Sequence, residues 1–490
     1  MVARNPNKDN SHELLADALS RPDEKRTEQP DTRNYRARKG KQGKLRSSDD
    51  ITRQETSRSP TPPITQTDPR EPLSLNGKAQ PAKTACIVGG GPGGLIVAKK
   101  LAERGFEVFV LEQGAPYDQT RRADERSFNL TIDGLGMHAA GRAKGLIYAA
   151  GRIINGRAIH RPNKPVFTHP YGHNWSDHFV AVSRHDLLRS LASCLSAEPW
   201  CRVLFNAKAK ETNVQSGSLT WINLITGEET SKTFDLVVFA DGVNGLGREI
   251  AAKRPGISIN KQVDPVTYIK AEITPEAARK CGLPLDKINF WTGKGGVSIG
   301  VPNVDDSASV LIMGDLPGSF TSPVFTSTTD AIKFMQARNP LLIEAIPDLA
   351  EQLVGRTRGH FLTTATSNWR LGAKAVLLGD SGRCAPPWAG LGANSAISDA
   401  AALADAIDAN PNFDTALTAY SNDRIAASEI IQRMIAEHGR LLNASLGSTT
   451  WMLLQKFQDL RERLFKHRTL YQQIAFDDGG LNRLIRGERN

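Results

Sequence analysis

The sequence predicts an α/β protein: a Rossmann-like dinucleotide-binding domain on a parallel sheet, an interleaved α+β domain, and C-terminal helices. Three observations predict it. The run Gly89-Gly90-Gly91-Pro92-Gly93-Gly94 sits between a short apolar stretch and a helix-forming stretch. Two later apolar runs end in an acid beside a glycine, at Asp241-Gly242 and at Gly379-Asp380. From about 255 to 370, alternating stretches such as GGVSIGVPN and ASVLIMGD read as strands of a second sheet.

Size and composition agree with that class. The 490 residues are 39% hydrophobic and 23% charged, ordinary globular usage and enough chain for two or three domains. The net charge of +10 points to an anionic ligand, a nucleic acid or a membrane surface without choosing among them. The five cysteines (Cys86, Cys194, Cys201, Cys281, Cys384) form no C-x-x-C pair, which argues against a disulfide framework or zinc site and for a reducing compartment. There is no run of about 18 apolar residues, the length a transmembrane helix needs. The opening MVARNPNKDNSHELL lacks the apolar stretch of a secretory signal, so a soluble cytoplasmic protein is expected.

In chain order, residues 1–82 read as a disordered basic tail, too poor in apolar residues to offset the entropy of ordering. Its cluster NYRARKGKQGKLR and its proline-stiffened SRSPTPPITQTDPREP are those of a solvated linker, with a targeting, secretion or nucleic-acid role as the alternative. The texture changes at Thr84. Residues 83–180 open the nucleotide-binding domain: Ala85–Val88 is a buried strand, Leu95 to Arg104 a helix stopped by Gly105, and Val108–Leu111 a second strand. Residues 181–250 continue it, with an amphipathic helix in FVAVSRHDLLRSLASCLSA and strands ending at DLVVFADG. Residues 251–370 form the second sheet, 371–412 return to the first domain through AKAVLLGD and an alanine-rich helix, and 413–490 are helical.

The glycine run contains G-x-G-x-x-G at Gly89, Gly91 and Gly94. Alone it is a weak signal; framed by strand, helix and a second strand tipped by Glu112, it is the dinucleotide fingerprint. The glycines allow a tight turn, close approach of backbone to pyrophosphate, and tight helix–sheet packing. The helix N-terminus offers free N–H groups to phosphate, and Glu112 accepts from ribose hydroxyls. Asp241-Gly242 and Asp380 at later strand ends suit a long ligand with ribityl hydroxyls, which favours FAD over NAD. Each Asp–Gly pair by itself would be an ordinary turn.

Together these segments resemble the aromatic hydroxylase class of FAD-dependent monooxygenases (group A), over nearly all of 84 to 470. GGGPGG with Glu112 resembles the family's first motif. DLVVFADGVNGLGRE resembles its second, which implies that Asp241 and Gly242 serve FAD, with NADPH as a further ligand of the same motif. AVLLGDSGRCAPPWAGLGANSAISDA resembles its third, which implies that Asp380 binds the ribityl chain and that Pro387, Gly390, Gly392, Ala393 and Asn394 line the flavin ring. Within the class the sequence resembles the kynurenine 3-monooxygenases. RSFNL is similar to their stretch beside the flavin, and GRAIH followed by PYG to the segment whose arginine and tyrosine hold the substrate's carboxylate. The resemblance thus implies substrate roles for Arg157 and Tyr171, together with Asn394. FVAVSRHDL implies that Arg184 touches FAD, and Trp291 in NFWTGKGGVSIGVPN matches a strand pair bordering the active site. The third motif departs from the usual G-D-A-A-H: Arg383 stands where histidine is expected, adding a cation near the flavin phosphates. A second carboxylate-clamping tyrosine of that family falls, by ungapped register, at Ile435.

What this implies is a flavin hydroxylase in which the cofactor carries the chemistry and no protein catalytic residue or metal is needed. NADPH, bound transiently without a domain of its own, would reduce FAD. O₂ would then form a flavin hydroperoxide that oxygenates a small aromatic substrate, probed first as a kynurenine-like or tryptophan-derived amino acid. Thr292-Gly293-Lys294-Gly295-Gly296 lacks a strand–helix frame and reads as a turn. His138, His160, His169 and His173 lack metal-ligand spacing. Two alternatives stand beside this: a flavin oxidase or a monooxygenase of another aromatic scaffold, and an FAD-binding effector addressed by its basic tail.

Overall fold

The computed structural model describes residues 83–119, 129–172, 174, 176–293, 296–317, 322–410, 412–445, 453, 456–457, 468–477 and 479–487. The tail 1–82, residues 126–128 of RSFNL, His173, and Lys294 and Gly295 lie outside them.

The first strand, Lys83–Val88, is the centre of a five-stranded parallel sheet. Across the sheet the strands run Ala375–Leu377, Leu236–Phe239, Lys83–Val88, Phe106–Leu111 and Cys201–Leu204. Ala85, Cys86, Ile87, Val108, Phe109 and Val237 are fully buried, because both faces of the sheet are covered. The glycine run turns the chain into the helix Pro92–Ala102, with Pro92 at its first position and Lys99 and Lys100 in its last turn, where the helix dipole favours cations. The helix Leu391–Ala409 lies against it so closely that a Cβ on Gly93 would meet the Ala396 carbonyl oxygen at 2.9 Å.

The second sheet has eight strands, largely antiparallel: Arg383–Cys384, Gly359–Thr366, Ile259–Ile273, Ala308–Gly314, Gly296–Pro302, Ile288–Gly293, Gly156–Arg161 and Lys164–Pro170. It therefore reaches outside 251–370. Gly156–Arg161 joins it in parallel beside Ile288–Gly293, pairing Arg157 with Ile288 and His160 with Trp291. That pairing carries Arg157 from the first third of the chain to the second sheet.

The helix Phe413–Ser445 spans two hydrophobic cores. Leu417 and Tyr420 pack into the core of the parallel sheet. Ala427, Ile431, Met434 and Ile435 pack into a second core with Tyr171, Phe179, Phe290 and Phe476. The short helices Leu470–Phe476 and Gly480–Ile485 close that second core. No described helix is long and apolar enough to cross a membrane.

Candidate functional site: a nucleotide cleft and an aromatic pocket

A cleft of about 670 Å³ opens at the C-terminal ends of the parallel strands. Gly89, Gly91, Gly94, Glu112, Arg184, Asp241, Gly242 and Asp380 all line it, so the structure brings together fingerprint residues separated by almost three hundred positions. The three fingerprint glycines do different work. Gly89 has φ +105°, and a Cβ there would sit 2.4 Å from the Ala240 carbonyl oxygen. A Cβ on Gly94 would lie 2.1 Å from the Gly89 carbonyl oxygen. Gly91 has open space around its would-be Cβ, which is the close approach that a bound pyrophosphate needs.

Glu112 accepts the Gly90 N–H at 2.9 Å on Oε2 and the Gly114 N–H at 2.7 Å on Oε1. Each oxygen keeps a further lone pair for a ribose hydroxyl. Tyr117, not singled out in the sequence, is buried beneath this loop and donates its hydroxyl to the Gly90 carbonyl at 2.6 Å. Asp241 accepts from the Gly247 N–H at 3.0 Å and from the Ser381 hydroxyl at 2.8 Å, tying the second motif to the third. Burial raises the pKa of Asp241 against those hydrogen bonds. Asp380 opens to the cleft, yet the protein massed around it raises its pKa despite the pull of Arg383, Arg184 and Arg248. Free backbone donors, an acid at each strand end and Arg184 fit the diphosphate and polyhydroxyl chain of FAD.

Two expectations about the third motif need correction. Arg383 is not a cleft residue. It is 3% exposed and turned inward to Asp399 at 3.7 Å, in a buried cluster with Arg424, which stands 3.3 Å from the same carboxylate. Asn394 is fully buried and its amide is spent on backbone. Nδ2 donates to the Thr131 and Gly390 carbonyls at 2.8 and 2.9 Å, and Oδ1 accepts the Asp133 N–H at 3.0 Å. Its side chain braces the walls. Gly392 and Ala393 sit at the start of the Leu391–Ala409 helix, Gly392 exposed with nothing near its would-be Cβ.

Pro387 and Gly390 line a second cavity together with Arg157, Tyr171, Phe179, Phe290, Leu311, Trp388, His438 and Tyr471. Its wall is mostly apolar. The Arg157 guanidinium lies 5.1 Å from the centre of the Tyr171 ring, and its charge pulls on the phenols of both Tyr171 and Tyr471 in the same cavity. Burial pushes the Tyr171 phenol up to about 12 against the pull of Arg157. Burial, and then Tyr171, raises that of Tyr471 further. Both are therefore protonated donors at neutral pH. His438 stacks on Tyr471 at 5.0 Å between centroids, and burial, helped by Arg157, pushes its pKa down to about 3. Trp291 faces the other side of the sheet, stacked on His160 at 4.8 Å, and does not line the pocket.

The position expected for the second tyrosine is corrected here. Ile435 is 4% exposed and packed in the core. One turn further along the same helix face, His438 reaches the pocket, and the tyrosine arrives from the C-terminal helix as Tyr471. A sequence signal for that helix existed: Thr469-Leu-Tyr-Gln472 is a capping box, and both of its reciprocal hydrogen bonds form. Asp133 was also missed. It caps the Gly134–Ala140 helix by accepting the Gly136 N–H at 3.1 Å, and burial raises its pKa to about 8.

Such a fold, with such a cleft, is that of an FAD-binding protein. A family model described as an FAD binding domain matches residues 82–434, and the chain belongs to that family. It is similar to kynurenine 3-monooxygenase of Salinispora tropica, 27% identical over 402 residues, 81% of this chain and 84% of that protein. The corresponding protein of Myxococcus xanthus is 25% identical over 437 residues, covering 82% and 91%. Among solved structures, p-nitrophenol 4-monooxygenase from Pseudomonas putida shares the fold at a TM-score of 0.62 and 16% identity, covering 82% of this chain and 99% of that one. So does 2-methyl-3-hydroxypyridine-5-carboxylic acid oxygenase, at a TM-score of 0.58 and 19% identity, covering 77% and 98%.

Proposed function

We propose that the protein hydroxylates a small aromatic substrate bearing a carboxylate, of the kynurenine-like or tryptophan-derived amino-acid type, using NAD(P)H and O₂. One observation carries the reading: a single guanidinium, Arg157, flanked by two protonated phenols in a mostly apolar pocket whose wall includes Pro387 and Gly390 of the third motif. A charge-assisted guanidinium contact with two hydroxyl donors matches the lone pairs of a carboxylate. Phe290, Leu311 and Phe179 offer the apolar surface an aromatic ring needs.

Bound FAD supplies the oxygen-transfer chemistry, with electrons drawn from NAD(P)H. The chain's own residues bind and orient. Gly89, Gly91, Gly94 and the helix behind them hold the diphosphate, Glu112 the ribose, and Asp380 with Arg184 the chain towards the flavin. Arg157, Tyr171 and Tyr471 fix the substrate's carboxylate and so set which ring carbon faces the flavin. The apolar walls exclude water, which protects a reactive oxygen donor from wasteful decay. An arylamine ring is activated by its own substituent, so no protein base is assigned. A ring-borne carboxylate in place of the amino-acid one is the second reading, since the clamp addresses the carboxylate itself.

The test is a screen of aryl amino acids and aryl carboxylates for stimulated NADPH oxidation by the yellow holoprotein, with product mass measured. We expect one class to stimulate oxidation and to gain one oxygen. Indifference to both classes would overturn the proposal.

A further inference from the structure

Tyr171 and Tyr471 flank one guanidinium but come from segments 300 residues apart in sequence. Tyr171 follows the strand Lys164–Pro170, and Tyr471 lies in the first turn of Leu470–Phe476. Neither segment alone can fix the gap between the hydroxyls, and a carboxylate fits only a narrow range of that gap.

Polar links cross between the segments outside the pocket, beside the ring contact of Phe476 with Tyr171. Gln472 donates its Nε2 to the Tyr171 carbonyl at 3.0 Å. Arg468 donates from Nη2 to both oxygens of Asp177, at 2.8 and 2.9 Å, while its Nη1 reaches Asp477 Oδ1 at 2.6 Å. Asp177 is 3% exposed and sits directly under the turn that bears Tyr171: a Cβ on Gly172 would lie 2.1 Å from its Oδ2, which also accepts the Asn174 N–H at 3.0 Å. On the other side, Arg468 directly precedes Thr469, the N-cap of the Tyr471 helix, and Asp477 is that helix's C-cap residue. Arg468 thus grips both ends of the helix and the underside of the turn.

We propose that the Arg468–Asp177 ion pair positions the ligand pocket, setting the separation of Tyr171 and Tyr471 about Arg157, although neither residue lines the pocket. This rests on the carboxylate clamp proposed above. A buried carboxylate stripped of its partner is costly, so loss of Arg468 drives Asp177 and its turn toward water. The planar guanidinium reaches Asp177 through Nη2 and Asp477 through Nη1 at once, a spread of two nitrogens that a single ammonium does not reproduce.

The experiment titrates the FAD-loaded full chain with two probes, L-kynurenine and benzoate, following the flavin absorbance. FAD content and melting temperature are measured for every variant. Arg468→Met is expected to weaken both probes by about tenfold or more while the FAD content stays at the wild-type level. Arg468→Lys should fall between, and it carries the test if Arg468→Met does not fold. In a Tyr471→Phe background the further penalty of the Arg468 substitution should shrink well below its value in the wild type, because the pair acts through that hydroxyl. A purely structural role would lower the melting temperature and leave the penalty undiminished in Tyr471→Phe. Unchanged affinity in both Arg468 variants, or an undiminished penalty in the Tyr471→Phe background, overturns the inference. Wild-type binding of benzoate but not of L-kynurenine removes the amino-acid reading and leaves this inference to be decided on benzoate. If the wild type takes neither probe, the clamp itself is gone and the inference falls with it.

Discussion

The nucleotide cleft and the aromatic pocket meet on one connection, with Gly379 and Asp380 facing the first and Pro387 and Gly390 the second. In the cleft, backbone does most of the holding. Gly89 and Gly94 are required because a Cβ would strike Ala240 or Gly89, and Glu112 and Asp241 accept N–H groups of neighbouring turns. In the pocket, side chains do the holding. One cation, two phenols and an imidazole are delivered from the second sheet, the long helix and the C-terminal helix. A backbone site is inherited whole with its local motif. A side-chain site assembled from distant segments changes by single substitutions.

That contrast can be broken by substitution. The largest effect is expected at Gly89. Gly89→Val puts a branched Cβ at positive φ, 2.4 Å from a carbonyl oxygen, and should give a protein that no longer retains FAD, read as loss of the flavin spectrum. Arg157→Ala should keep the flavin and weaken carboxylate ligands by about 2–3 kcal/mol, read by titration of the flavin absorbance. Should Arg157→Ala lose FAD instead, the two sites are not separable as described. Next comes pH. His438 has a folded pKa near 3, below the unfolded value of about 6.5, so the unfolded state binds the extra proton. This residue's contribution to stability is therefore present above about pH 6.5 and lost as pH falls toward 3, on the order of 2 kcal/mol by pH 5. His438→Gln should flatten that part of the stability profile in denaturant melts. A further pH effect is expected at Asp133, whose folded pKa near 8 lies above its unfolded value of about 3.9. Its contribution is lost as pH rises from about 4 through 8, so Asp133→Asn, which keeps the capping acceptor, should remove that part of the fall in the same melts.

The same contrast explains what was legible in the sequence. Gly89, Gly91, Gly94 and Glu112 could be read because strand, turn and helix are contiguous, and each glycine answers a local steric demand. Arg157 and Tyr171 were singled out through the family resemblance, and the structure brings them together through one hairpin and the residue after it. Tyr471 was not, since nothing local says that a tyrosine three hundred residues later will meet Arg157. Counting register along the long helix led to Ile435, whereas the helix turns that residue into the core and offers His438 to the cavity. Arg383 misled for a related reason. Its place in the motif suggested the phosphates, but Asp399, on the helix behind, holds the stronger claim on its charge.

The helix Phe413–Ser445 is 33 residues long, roughly 50 Å of continuous backbone. Its early turns are embedded with Leu417 and Tyr420 in one apolar interior and its later turns with Ile431 and Met434 in the other. A single rod shared this way denies the halves separate thermal lives: softening either interior withdraws a wall from its neighbour. Calorimetry of the holoprotein should then record one endotherm in which flavin release and collapse of the aromatic half coincide.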